Sequence, residues 1–298
     1  MKFRNGSLAL ACSAVVAVAA QQADACTSLV LNGNDGGRVY GRTMEFGIPL
    51  HSQVMKMPRG YANTGIGPDG TAGQGKSWKS KYAVIGANVF SLPFFVDGIN
   101  EAGLVGGMLN APNTALYQDV PAGQADNSIA PQQLLTYVLS NFATVEEVRQ
   151  ALPNIYVSNA PMKEWGGTPK ARMTLHDAKG GSLVVEYLGG RLVMTDNVIG
   201  VMTNDPPFAW HLANIGNYAN LGGPEGVAPR AVRNAVAQLL GEVLRFDIVR
   251  CLVGFECRAT RTAAAGFAGV PRLSRRQFRR LEPTFRMAQG GQQLELFV

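Results

Sequence analysis

The sequence predicts an α+β fold, and three observations carry that expectation. Around residues 26–46, short apolar strands flank the turn-forming run Asn32-Gly33-Asn34-Asp35-Gly36-Gly37, a hairpin signature. A helical segment spans about Pro131 to Leu152, with Thr144-Val145-Glu146-Glu147 as a second N-cap. A strand meander covers Ala171 to Met202, folded at Gly180-Gly181 and Gly189-Gly190. Helices thus cluster while strands run consecutively, the pattern of α+β proteins rather than of alternating βαβ units. Composition agrees. The 298 residues include 35 glycines and 16 prolines, with 46% hydrophobic and 16% charged residues, which suits a turn-rich chain with a real core and excludes a coiled coil or a wholly disordered polymer.

The first 25 residues read as a secretory signal peptide. Lys2 and Arg4 give a positive start, Leu8 to Ala20 is a nearly unbroken apolar run of 13 residues, and Ala23-Asp24-Ala25 fits a small-residue cleavage site. That run is too short to span a bilayer as a helix. The expected product is an exported, periplasmic or secreted chain, without a stable membrane span, whose first residue is Cys26.

Cleavage there places a thiol and a free α-amine on one residue. An α-amine titrates at about 7.7–8.0 and a thiol at about 8.5, so the amine can take the thiol proton near neutrality and no histidine is required. The three histidines, His51, His176 and His211, have no metal-ligand spacing, and no cofactor is indicated. A cysteine after a signal peptide is also the acylation site of lipoproteins, although Ala23 and Asp24 make a poor match to that signal. The hairpin that starts at Cys26 folds Arg42 and Glu45 back toward it, a fixed cation beside a thiolate and a carboxylate beside an ammonium.

These residues carry a resemblance. Cys26-Thr27-Ser28 and Gly41-Arg42-Thr43-Met44-Glu45-Phe46 are followed in order by Val96-Asp97-Gly98-Ile99-Asn100-Glu101-Ala102-Gly103-Leu104, Leu109-Asn110-Ala111-Pro112-Asn113, Leu134 to Phe142, Met173 to Asp177, Ser182 to Tyr187 and Gly200-Val201-Met202-Thr203-Asn204. Together they resemble the choloylglycine hydrolase family of bile salt hydrolases, penicillin V acylases and related linear amide hydrolases. The resemblance implies an αββα N-terminal nucleophile hydrolase sandwich over residues 26–225. It also implies roles: Cys26 as nucleophile with its own amine as base, Arg42 beside the thiolate, Glu45 where relatives usually carry Asp, and Asn110 and Asn204 as donors to the oxyanion hole. Arg230, in Arg230-Ala231-Val232-Arg233, is the candidate for a further catalytic-site arginine.

The implied substrate is a small acyl amide: an N-acyl amino acid, conjugated bile salt, penicillin V or acyl-homoserine lactone. Asn110 is the residue type of bile salt hydrolases, whereas Gly41 to Glu45 looks more like the exported Gram-negative branch that includes penicillin V and acyl-homoserine lactone acylases. Phe46, Ile48, Leu50, Phe90, Leu92, Phe94 and Phe95 are candidates for an apolar acyl groove, and plain core packing accounts for them as well.

Residues 226–298 depart from the pattern. They hold 12 of 19 arginines, no lysine and five acids, whereas residues 1–225 balance 15 basic against 16 acidic residues. The net charge of +6 therefore belongs to an Arg-rich end segment, and the run Arg272 to Arg280 reads as a solvated stretch rather than a nucleic-acid site. The glycine-rich assembly loop of relatives is not recognisable here, so a homo-oligomer stays open. Arg286 to Phe297 can mimic a closing strand, and Cys251 and Cys257 can pair in an oxidising compartment. A truncation or a shifted reading frame in the gene would explain the abrupt loss of lysine. The alternative to an enzyme is an inactive or lipid-anchored envelope protein with an incomplete hydrolase fold.

Overall fold

The computed structural model describes residues 26–33 and 37–217, together with the backbone of 292–297. The signal-peptide region 1–25, Arg230, Cys251, Cys257 and the basic run 272–280 lie outside the described residues.

Fifteen strands and three α-helices stand in the described residues. In chain order the strands are β1 Thr27–Asn32, β2 Arg38–Glu45, β3 Val54–Met57, β4 Ala62–Asn63, β5 Trp78–Lys79, β6 Val84–Asn88, β7 Phe95–Asn100 and β8 Val105–Asn110. They continue with β9 Ser128–Ile129, β10 Tyr156–Val157, β11 Ala171–His176, β12 Ser182–Leu188, β13 Arg191–Asp196, β14 Val201–Thr203 and β15 Gln292–Phe297. The helices are α1 Leu134–Asn141, α2 Val145–Ala151 and α3 Phe208–Gly216. No helix among the described residues is long and apolar enough to cross a membrane.

The expected hairpin forms: β1 pairs antiparallel with β2, Thr27 opposite Thr43 and Asn32 opposite Arg38. The sheet built on it runs β14-β1-β2-β15, and a second, seven-stranded sheet runs β13-β12-β11-β8-β7-β6-β3. The backbone of β15 pairs with β2 over Gln292 to Phe297, within the segment read as a closing strand. The meander is less uniform than the sequence suggests. β11, β12 and β13 are neighbours in the large sheet, but β14 crosses to the small one and pairs with β1, Thr27 opposite Thr203.

Period two explains how the large sheet is buried on both faces. In β12, Leu183 and Val185 join the core beneath the helices, while Val184 points into the core between the sheets with Cys26, Met44, Leu109, Met202 and Phe208. Helices α1 and α2 cover the outer face through Leu134, Leu135, Val138, Leu139, Val145 and Val148. The described chain is thus layered as helices, large sheet, small sheet, a mixed α+β sandwich.

The helical segment over 131–152 divides in two, as its second N-cap implies. Residues Pro131–Gln133 form a 3-10 turn, and α1 ends at Phe142, which is extended at φ −120° and ψ 149°. The break has a local cause. The Asn100 side-chain amide, at the end of β7, donates to the Leu139 and Phe142 carbonyls at 2.8 and 2.6 Å, satisfying groups that a continuing helix would have used. The second cap forms as expected: Thr144 Oγ1 accepts from the Glu147 amide at 3.2 Å, and Glu147 Oε2 accepts from the Ala143 amide at 2.8 Å.

Candidate active site

Cys26 sits immediately before β1 and is only 2% exposed. Its Sγ lies 3.7 Å from the Glu45 carbonyl oxygen, so the end of β2 meets the thiol through its backbone. Thr203 Oγ1 donates to the Cys26 carbonyl at 2.8 Å, which places Asn204, the next residue, beside the head of β1.

Arg42 is buried and has a dedicated counter-charge. Its Nη1 is 2.5 Å from Asp97 Oδ2 and 2.7 Å from the Met108 carbonyl. Asp97 also accepts from the Tyr40 hydroxyl at 2.9 Å. Both ionic groups are almost wholly removed from water, where an isolated charge would be prohibitively costly. Burial pushes the Asp97 carboxyl up to about 6, against the opposing pull of Arg42 and the Tyr40 hydroxyl. Gly107 makes room for the cluster, since a Cβ there would collide with Asp97 Oδ1 and the Tyr40 hydroxyl.

A cleft opens in front of these groups. Cys26, Arg42 and Asn110 line it, with Met44, Phe46, Leu50, Phe94, Phe95, Met162 and Trp165 supplying apolar walls. This inner cleft holds about 80 Å³. A contiguous outer depression of about 310 Å³ shares Phe46, Asn110, Trp165 and Lys170 with it and adds Ile48, Pro112 and Thr168. Ligand sites usually run to several hundred Å³, a size that the inner cleft reaches only together with the outer depression. Phe90 and Leu92 stand behind the wall in a small cluster with Val89, Phe94 and Met162.

Asn204 is gripped from behind. Its carbonyl oxygen accepts from Arg172 Nη2 and from His211 Nε2, the latter at 3.0 Å. Arg172 is buried and paired with Glu186 at 2.8 Å, and its Nη1 also donates to the Pro206 carbonyl at 2.7 Å. Glu186 in turn accepts the Phe208 amide at the start of α3. Burial holds His211 below its ordinary value.

Of the sequence candidates, then, Cys26, Arg42 and Asn110 share one cleft, Glu45 touches the thiol by its carbonyl, Asn204 adjoins Cys26 through Thr203, and Arg230 lies outside the described residues. Among the apolar candidates, Phe46, Leu50, Phe94 and Phe95 line the inner cleft and Ile48 the outer depression. Sequence reasoning assigned no role to Tyr40, Asp97, Arg172, Glu186 or Trp165. A lone acid inside an apolar strand, as in Phe95-Val96-Asp97-Gly98, is the signal that points to Asp97. Among the described residues no group of three or more His, Cys, Asp or Glu side chains is placed to hold a metal ion.

Two stacked sheets, with a cysteine heading a strand of the smaller one and a buried arginine lining the same cleft, have the arrangement of the N-terminal nucleophile hydrolase fold, which the similar solved structures share. Residues 26–232 match the linear amide C–N hydrolases of the choloylglycine hydrolase family, and the chain belongs to that family. It is 34% identical over 200 residues to a bile salt hydrolase/transferase of Clostridium perfringens, covering 66% of this chain and 58% of that protein. It is 26% identical over 208 residues to a penicillin V acylase of Pectobacterium atrosepticum, covering 65% and 54%. The solved conjugated bile acid hydrolase of Clostridium perfringens superposes with a TM-score of 0.59 at 30% identity, over 74% of each chain. The penicillin V acylase of Agrobacterium tumefaciens does so at 0.57 and 29%, over 66% of this chain and 58% of that one. The chain thus spans about three fifths of the length of the curated relatives it matches.

Proposed function

We propose that the protein is exported, loses residues 1–25 and then hydrolyses a linear amide with Cys26 as its nucleophile. The observation that carries this reading is the convergence of Cys26, Arg42 and Asn110 on one cleft whose other walls are largely apolar. That is the arrangement needed to seat an acyl chain beside a thiol.

In this mechanism the α-amine of Cys26 takes the thiol proton, and the thiolate attacks the amide carbonyl carbon. A C–S bond forms, the C–N bond breaks, and the ammonium returns its proton to the departing amine. Water then attacks the thioester with the amine again as base, releasing the carboxylic acid and restoring the thiol. Arg42 favours the thiolate, Glu45 holds the ammonium, and the amides of Asn110 and Asn204 donate to the oxyanion, an effect worth about 3–4 kcal/mol per donor in comparable sites. The substrate is an N-acyl amino acid, conjugated bile salt, penicillin V or acyl-homoserine lactone.

The test is mass spectrometry of the mature N-terminus together with turnover of glycocholate, taurocholate, penicillin V and long-chain acyl-homoserine lactones. A chain beginning at an unmodified Cys26, active on at least one of these and silenced by Cys26→Ala, is the expected result. A diacylglyceryl-modified or uncleaved Cys26 would instead favour an anchored envelope protein, and correctly processed protein without turnover would favour an inactive one.

A further inference from the structure

Two of the groups assigned to the oxyanion, Asn110 and Asn204, come from strands in different sheets, β8 and the end of β14. Their separation must therefore be set by something other than one backbone. Three side chains act on the residues concerned. Arg172 and His211 both donate to the Asn204 carbonyl. Asp205, the next residue, reaches across to the loop that follows Asn110: its Oδ2 accepts from the Asn113 amide at 2.8 Å and its Oδ1 from the Thr114 hydroxyl. The Asn204–Asp205 peptide is thus held at its carbonyl by one pair of donors and anchored to the Asn110 loop by the carboxylate that follows.

We infer that Arg172, His211 and Asp205 are positioning residues that fix the Asn204 side chain relative to Asn110 and the carbonyl under attack. The inference rests on the oxyanion role proposed for Asn204. Arg172 is the rigid member, since its planar guanidinium spans the Asn204 and Pro206 carbonyls while Glu186 balances its charge. His211 and Asp205 are the accessible members, both only partly buried; Asp205 adds to the negative charge that Arg172 feels, and when it is removed the Glu186 ion pair remains. Since tetrahedral oxyanions exist only after attack, a shifted donor weakens the transition state and leaves substrate binding alone.

The experiment is a pair of double-mutant cycles on the processed full chain, with the fraction carrying a free Cys26 measured by mass spectrometry. Asn204→Ala should lower kcat by about 10²–10³. Asp205→Ala and His211→Ala should each lower kcat about tenfold at unchanged KM in the parent, yet change it less than about twofold when Asn204 is already Ala, because there is then no side chain left to position. Equal losses in both backgrounds, or losses confined to KM, would overturn the positioning role while leaving the oxyanion reading intact. Full kcat in Asn204→Ala would remove the oxyanion reading itself. If Asp205→Ala does not fold, Asp205→Asn, which keeps one acceptor, serves in the same cycle with a smaller loss expected.

Discussion

Thr203 Oγ1 donates to the carbonyl oxygen of Cys26 at 2.8 Å, fastening the strand that leads into Asn204 to the residue that heads β1. The ladder between β1 and β14 starts one residue later, with Thr27 opposite Thr203, so the hydroxyl fixes a peptide plane that strand pairing leaves free. A net hydrogen bond is worth about 1 kcal/mol. Thr203→Val keeps the shape and β-propensity of the side chain and removes the donor. The expected outcome is a three- to tenfold lower kcat, about what 1 kcal/mol allows, with a melting temperature lowered by only a few degrees. Steady-state kinetics and calorimetry on the same preparation check both.

The second prediction concerns the charge beneath Arg42. Burial raises the Asp97 carboxyl to about 6, above its ordinary value near 4. Between those two pH values the folded protein holds the proton more tightly than the unfolded chain. The contribution of this group to stability is therefore full below pH 4 and falls as pH rises through 6. On the role proposed for Arg42, activity should run the other way, because Asp97 holds the guanidinium as an ion pair only once it is ionised. The pH profile of kcat/KM should show an acid limb near 6, distinct from the titration of the α-amine. Asp97→Asn should abolish that limb and lower the plateau about 10- to 100-fold, on the scale of one mispositioned electrostatic group. A profile unchanged by the substitution would dismiss the coupling.

What was legible in the chain was what local chemistry decides. The β1–β2 hairpin follows from its turn residues, the α2 cap from Thr144 and Glu147, and the β11 to β13 meander from its glycine turns. Pairings that depend on how sheets stack were not. Tyr40 and Asp97 are 57 residues apart and meet only because β2 lies over β7. The second N-cap at Thr144 signals a break after α1, but not that Asn100, 39 residues before Leu139, takes the carbonyls it frees. Likewise, Arg172 and Glu186 look like ordinary strand residues until β11 and β12 pair.

His176 supplies a stability test that does not depend on catalysis. The ring is buried on β11 between Thr174 Oγ1 at 3.1 Å and Ser182 Oγ at 2.6 Å. Burial, with Arg38 nearby, lowers it from 6.5 to about 3. The unfolded chain therefore binds a proton that the folded one refuses between those values, and stability is full above 6.5 and declines as pH falls toward 3. One proton corresponds to about 1.4 kcal/mol per pH unit. Urea unfolding at several pH values should show His176→Gln with a slope shallower by up to about that amount between pH 4 and 6, whatever its effect on absolute stability. An unchanged slope would mean that His176 is charged in the fold.

The wall of the cleft is the place to separate acyl binding from chemistry. Trp165 packs at a tilt 5.0 Å from Phe46 and edge-on 6.2 Å from Phe90, ring centre to ring centre, and it lines both the inner cleft and the outer depression. Phe90 is held at φ 53° and Ser91 at φ 57°, left-handed conformations that cost about 1–3 kcal/mol each for non-glycine residues. The Phe90 amide bonds to the Leu50 carbonyl at 2.6 Å and offsets part of that cost. The two left-handed residues lie in the loop whose Phe90 ring meets Trp165 edge-on. Removing the indole should cost acyl groups large enough to reach it, equally before and during the reaction. Trp165→Ala is accordingly expected to raise KM about tenfold for bulky phenoxyacetyl or steroid acyl groups with kcat nearly unchanged, and to leave short linear acyl groups unaffected. A fall in kcat at constant KM would place Trp165 in the chemistry instead of the acyl groove.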